Sequence, residues 1–126
     1  MAVTLQPSTL KSQTTNYQLP SDGTPDTLPK YFRATARKFG ATRVAMRKKQ
    51  LGVWREYSWA ESFEIVKSFA LGLVALGLKR GEHVIIIGDN DPQWYWSSLA
   101  VQCAGGIAVG SFIDSTPTEV QYLAAH

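Results

Sequence analysis

A chain of 126 residues, 44% hydrophobic and 18% charged, is long enough for one domain at most, and its composition excludes a fibrous or wholly disordered protein. A single cysteine, Cys103, excludes an internal disulfide framework and suits a reducing compartment. Thirteen Lys and Arg against ten Asp and Glu give a net charge of +3, and no apolar run reaches the roughly 20 residues that cross a bilayer.

Residues 1–26 are rich in Ser, Thr, Gln, Asn and Pro and offer little to bury, so a disordered polar tail is expected there. They also lack the charged start and continuous apolar core of a secretion signal, and the expected location is cytoplasmic. The foldable part is therefore residues 27–126. It begins with a helix opened by Asp26 and Pro29 and closed by Gly40, with Leu28, Tyr31, Phe32, Thr35, Ala36 and Phe39 at spacings of three and four. Arg43 to Lys49 and Val53 to Tyr57, parted by Gln50-Leu-Gly52, then read as a β-hairpin whose register the sequence leaves open.

Ser58-Trp-Ala-Glu61 is a capping box, and a helix over Trp59 to Leu76 should follow. One stripe holds Phe63, Val66, Ala70, Leu73 and Gly77, and the next holds Ile65, Phe69, Gly72 and Leu76. That is an apolar face broad enough to pack on a sheet, and Gly77 is the expected left-handed stop. Four aliphatic residues, Val84 to Ile87, bounded by Gly88-Asp-Asn-Asp, suit a strand buried on both faces. Asp91 can cap a helix with Pro92 in its first turn, running to about Ala104. Gly105 and Gly106 end it, and Ile107 to Ile113 is the next strand. Thr116-Pro-Thr-Glu119 is a second capping box, opening a helix that carries Val120, Leu123 and Ala124. The expected fold class is α/β: a β-hairpin plus a parallel βαβ unit with flanking helices, incomplete because two parallel strands cannot cover themselves.

Candidate chemistry is sparse. Asp89, Asp91 and Asp114 fall at the carboxyl ends of predicted strands, where open α/β sheets bind ligands, which allows a Mg²⁺ or ribose contact. Cap and turn roles already explain Asp91 and Asp89, so no metal site is assigned. Gly105, Gly106 and Gly110 do not form G-x-G-x-x-G and precede a strand, so they read as structural turn residues. His83 and His126 have no second His or Cys at ligand spacing. Cys103, inside an apolar helix, reads as a buried small hydrophobe. Trp54, Trp59, Trp94 and Trp96, with Phe112, read as core or helix–sheet packing. The basic run from Lys30 to Lys49 contains Lys30, Arg33, Arg37, Lys38, Arg43, Arg47, Lys48 and Lys49 and no acid. It is read as a solvated face, with no specific nucleic-acid partner and with peripheral membrane contact left open. No residue is assigned a catalytic, cofactor-binding or metal-binding role.

The succession from Trp54 to Glu61, then Ala70 to Trp94, Ala104 to Gly110 and Ser115 to Leu123, resembles the N-terminal part of the adenylate-forming acyl-CoA synthetases, most of all the long-chain fatty-acid group. The resemblance covers about residues 28–126. It implies a partial N-terminal subdomain of an AMP-binding ligase that activates a carboxylate with ATP and Mg²⁺ and passes the acyl group to coenzyme A. The phosphate loop, later adenylate motifs and lid lysine of that family have no counterpart here. The expectation is an inactive fragment that binds none of these cofactors well and whose partners are a fatty acid, ATP, coenzyme A and the C-terminal remainder of the fold. A stand-alone nucleotide-binding or subunit-complementing module is the alternative.

Overall fold

The computed structural model describes residues 23–125. The expected disorder of residues 1–22 and the candidate His126 lie outside them. The first helix, α1, is Leu28–Phe39, with Pro29 in its first turn. Thr27 occupies the cap position without a side-chain cap bond. Asp26 instead pairs with Lys30 one turn on, at 2.6 Å. Gly40, at φ +53°, donates its N–H to Ala36 C=O and ends the helix as expected. Phe32 and Ala36 are buried, while Leu28 and Tyr31 of the predicted apolar set are exposed.

The hairpin comprises β1, Val44–Gln50, and β2, Val53–Ser58. Pairs run from Gln50 opposite Val53 to Met46 opposite Tyr57, with an irregularity between Val44 and Met46 that restores Val44 to Ser58. The register places Met46 and Tyr57 toward the body of the protein. Leu51 and Gly52 form the two-residue turn, both with positive φ, +49° and +83°. That is the conformation that matches the right-handed twist of the strands, and one that Asn-Gly adopts at little cost.

Helix α2, Trp59–Ala75, starts with the predicted capping box: Glu61 N–H donates to Ser58 Oγ at 3.2 Å and Ser58 N–H donates to the Glu61 carboxylate at 2.8 Å. The Ser58 N–H, and with it the Ser58 hydroxyl, donates to the Glu61 carboxylate and holds it below its ordinary pKa. At the other end, Leu78 N–H reaches Leu73 C=O and Gly77 N–H reaches Val74 C=O, both at 3.0 Å, with Gly77 at φ +97°. This is a Schellman stop. Ser62, Val66 and Ala70 make the buried stripe, with Phe63 and Leu73 packed beside it. The second predicted stripe is not used: Ile65, Phe69 and Leu76 face outward. Nor does α2 rest on a sheet as expected. Its main partners are α1 and the helix described next, with smaller contacts to β1 and β2.

Strands β3, His83–Ile87, and β4, Ile107–Ser111, pair in parallel, His83 opposite Ile107 through Ile87 opposite Ser111, with helix α3, Pro92–Cys103, between them. Two corrections apply. The aliphatic run Val84 to Ile87 is only half-buried to exposed, because α3 covers one sheet face and, among the described residues, nothing packs tightly on the other. Strand β4 ends at Ser111, two residues early, and Phe112 and Ile113 lie exposed in the following turn.

Helix α3 is the centre of the molecule. Pro92, Trp96, Leu99, Ala100 and Val101 are buried around its circumference, Ala100 completely, at 0% exposure. It meets α1, α2 and β1 on one side and β3 and β4 on the other. The core joins Phe32, Tyr57, Val66, Ala70, Trp96, Leu99 and Ala100, and Tyr57 meets Trp96 edge-on at 4.9 Å between ring centres. Burial of one such large side chain is worth roughly 1.5–3 kcal/mol. The last helix, α4, is Pro117–Ala125, behind the predicted Thr116–Glu119 box, in which Thr116 N–H donates to Glu119 at 2.7 Å. It has no buried residue. A cleft of about 870 Å³ separates Leu123 to Ala125 from His83, Val84, Ile85 and Val109 on the second sheet face. Among the described residues no helix is long and apolar enough to cross a membrane.

The hairpin turn gives a direct prediction. Leu51 is 98% exposed, so replacing it loses no burial, while a non-Gly residue in the left-handed region is strained by about 1 kcal/mol. Leu51→Asn should raise stability by about 1 kcal/mol in urea unfolding; a loss of stability would refute the turn assignment.

Candidate functional site

The carboxyl edge of the β3–β4 sheet carries the turns that hold Asp89, Asp91 and Asp114, whereas His83 starts β3 and Cys103, Gly105 and Gly106 precede β4. Chain polarity puts the Gly88-to-Asp91 turn and the Phe112-to-Ser115 turn side by side, because both parallel strands end there. Gly88, Asn90, Trp94, Gly110, Ser111 and Phe112 line a cleft of about 390 Å³. A second cleft of about 540 Å³ opens on the other side of the α3 N-terminus, lined by Leu28, Tyr31, Met46, Trp59, Tyr95 and Leu99 among others, and reached by Asn90 and Asp91.

The three acids are not brought together. Asp91 holds the cap position, and its C=O accepts from Trp94 N–H at 3.0 Å, but its side chain makes no cap bond. The carboxylate turns instead to the Lys48 ammonium of β1, in a half-buried ion pair 43 residues apart in sequence. This corrects the expectation that Asp91 caps with its side chain, and the reason is electrostatic: a fixed cation is a stronger partner for a carboxylate than an amide is. Asp89 and Asp114 are exposed turn residues. Among the described residues no three His, Cys, Asp or Glu groups are placed to hold a metal, and His83 stands exposed at the start of β3.

The glycines are also engaged. Gly105, at φ +86°, is a true turn residue. Gly106 permits close packing, since a Cβ there would come 3.0 Å from Val101 Cγ1 and 3.1 Å from Glu82 C=O. Gly110 is not a turn residue, as expected from sequence, but lies within β4 opposite Ile86. A Cβ on it would stand 2.9 Å from Trp94 Cζ2, and one on Gly88 would be 3.6 Å from the same indole. The absent side chains make a bed for Trp94. Among these glycines, Gly106 and Gly110 are closely packed by their neighbours and offer no open cradle for a phosphate.

Two further expectations are corrected. Cys103 ends α3 at an exposed position, although neighbouring atoms still desolvate its sulfur and push the thiol pKa up, away from nucleophilic use. Trp54 and Phe112 are exposed rather than packed, whereas Trp96 is in the core and Trp59 packs against it. The basic run is a solvated face as expected, all but Lys48 of its cations being exposed, and three of them are paired: Lys30 with Asp26, Arg47 with Glu56 at 2.8 Å, and Lys48 with Asp91. Sequence reasoning missed Lys48, because only the fold brings the hairpin to the α3 N-terminus. It also missed Asn90 and Ser111, which their place at strand carboxyl ends could have signalled. Ser111 is nearly buried and shares a 3.0 Å hydroxyl contact with Ser115.

A family model for AMP-binding enzymes matches residues 32–126. The long-chain-fatty-acid–CoA ligase ACSBG1 of Bos taurus is 34% identical over 101 residues, which are 80% of this chain and 14% of that protein. The human long-chain-fatty-acid–CoA ligase ACSBG2 is 31% identical over 107 residues, 85% of this chain and 16% of that protein. The chain thus spans about one seventh of the length of the curated relatives it matches. Among solved structures, the fatty acid AMP ligase of Legionella pneumophila superposes with a TM-score of 0.70 at 17% identity, covering 85% of this chain and 19% of that one. The N-terminal subdomain of Klebsiella oxytoca NpsA, solved with 3-hydroxyanthranilyl-AMSN, gives 0.69 at 24% identity, covering 78% and 24%. At these identities the structural likeness establishes the fold, that of a partial adenylate-forming-enzyme domain.

The Trp94 bed is testable. Gly110→Ala should destabilise the protein by about 1–3 kcal/mol through overpacking, and Trp94→Leu in the same chain should recover most of that loss. Equal destabilisation with and without Trp94, measured by thermal or urea unfolding, would contradict the contact.

Proposed function

This chain belongs to the AMP-binding enzyme family, and from that premise we propose that it is a scaffold segment of a long-chain fatty-acid–CoA ligase. In such a ligase a fatty-acid carboxylate oxygen attacks the α-phosphorus of ATP, with Mg²⁺ countering the phosphate charge, and pyrophosphate leaves. The coenzyme A thiol then attacks the acyl carbon and expels AMP. The exchange of leaving group is what makes the step feasible, since a bare carboxylate resists a thiol. The proposed setting is the cytoplasm.

One observation supports a scaffolding rather than a catalytic part for residues 27–126: most of the candidate groups at and around the sheet are engaged in structure or kept un-ionised, while Asp89 and Asp114 stay exposed. Asp91 is paired with Lys48. Gly106 and Gly110 make room for neighbouring side chains. Cys103 is held as a thiol. On this reading the segment positions the rest of a ligase domain without touching the reacting atoms, and ATP, Mg²⁺, coenzyme A and fatty acid bind elsewhere in the longer fold.

Two measurements test the reading. The 126-residue chain should show no fatty-acid-dependent ATP–pyrophosphate exchange, and clear exchange would overturn the scaffold role. A chimera of the bovine relative, with its matching segment replaced by residues 27–126, should form fatty acyl-CoA within about tenfold of its parent, about 1.4 kcal/mol in the barrier. A soluble, cooperatively folded chimera without activity would overturn the ligase assignment.

A further inference from the structure

The tip of the hairpin breaks two local rules at once. Leu51, Val53 and Trp54 are 98%, 70% and 61% exposed, side by side. Leu51 also holds φ +49°, a backbone conformation in which Asn or Gly would be unstrained. An exposed aliphatic residue in a left-handed turn is unfavourable for the backbone and for solvation, and no contact within the described fold offsets either cost. Local conflicts of this kind concentrate at functional surfaces.

The surroundings of the tip are cationic. From Arg43 to Tyr57 the hairpin carries Arg43, Arg47, Lys48, Lys49 and Arg55 against one acid, Glu56, which Arg47 neutralises at 2.8 Å. Lys49 sits opposite Trp54, with its ammonium 6.0 Å from the indole. Arg55 adjoins Trp54 in the chain and stacks over Tyr57 at 4.9 Å. Among the described residues, neither Lys49 nor Arg55 forms an ion pair with a carboxylate. An aliphatic point, an indole with the Lys49 ammonium level beside it, and Arg55 one residue further back follow the order of a bilayer surface read outward from its acyl chains.

We propose that the Leu51-to-Trp54 tip is a contact site for an anionic membrane surface. Leu51 and Val53 enter the boundary between acyl chains and headgroups, Trp54 lies at headgroup level, and Lys49 and Arg55 meet lipid phosphates. A nucleic acid would use the same cations but gains nothing from Leu51 and Val53, which neither stack on bases nor hydrogen-bond to them. The proposal rests on the hairpin alone and is independent of the ligase reading.

The test is vesicle flotation of the whole chain, which separates lipid-bound protein from aggregates that sink. The chain should float with phosphatidylcholine vesicles that contain phosphatidylserine, less as salt rises, and little with phosphatidylcholine alone. Lys49→Gln should weaken binding by about fivefold. Leu51→Asn with Val53→Thr should abolish flotation, and the Leu51→Asn change is the one expected to make the turn more stable, so a melting temperature no lower than that of the unaltered chain separates lost binding from lost fold. Failure of the unaltered chain to float with anionic vesicles, flotation of the double variant equal to it, or salt-sensitive binding to single-stranded RNA without flotation would each overturn the proposal.

Discussion

Everything in this structure depends on α3 being buried from two sides. A helix with Ala100 at 0% exposure and with Trp96, Leu99 and Val101 around its circumference cannot rest on one partner. The hairpin, α1 and α2 wall one side through Tyr57, Phe32, Val66 and Ala70, and the β3–β4 pair walls the other. The edge-on contact of Tyr57 with Trp96 and the ion pair of Lys48 with Asp91 both bind the hairpin to this same helix. The small residues follow from it as well: Gly106 lets the β4 entry approach Val101, and Gly110 accommodates Trp94 on the sheet.

The constraint also explains what stays exposed. Once α2 has used Ser62, Val66 and Ala70 against α3, its second apolar stripe has no partner, and Phe69, Leu71 and Leu76 face outward. The sheet has one face on α3 and the other toward a wide cleft before α4. A family whose curated members are about seven times as long as the matched segment offers further structure to meet such surfaces, and that is the setting proposed for this segment. At the carboxyl edge, Asp91 joins α3 to the hairpin through Lys48 and Gly110 seats Trp94, while Asp89 and Asp114 stay exposed.

Local chemistry was legible from sequence wherever neighbouring residues decide it. Both capping boxes, the Gly77 stop, the two-strand βαβ order and the hairpin are encoded within a few residues of where they act. What was not legible depends on partners distant in the chain. The run Val84 to Ile87 has the composition of a doubly buried strand, yet burial of its second face is set by elements that a single strand cannot specify. Asp91 looks like a side-chain cap until Lys48 arrives from the hairpin. Gly110 looks like punctuation until Trp94 is seen lying where its side chain would be. Trp54 and Trp96 are the same residue type in similar apolar company, and only the hairpin register sends one outward and the other edge-on to Tyr57.

The architecture is organised around one helix, and that organisation can be measured amide by amide. Native-state hydrogen exchange reports which element opens last, because protection scales with the free energy of the opening that exposes each amide. The account predicts that amides of α3 around Leu99 to Val101, with those of α2 around Val66 and Ala70, exchange slowest and only by global unfolding, while β3, β4 and α4 open at lower free energy. Exchange of α3 ahead of the β3–β4 pair would contradict it, since a helix buried on both sides cannot open while the sheet resting on it stays closed.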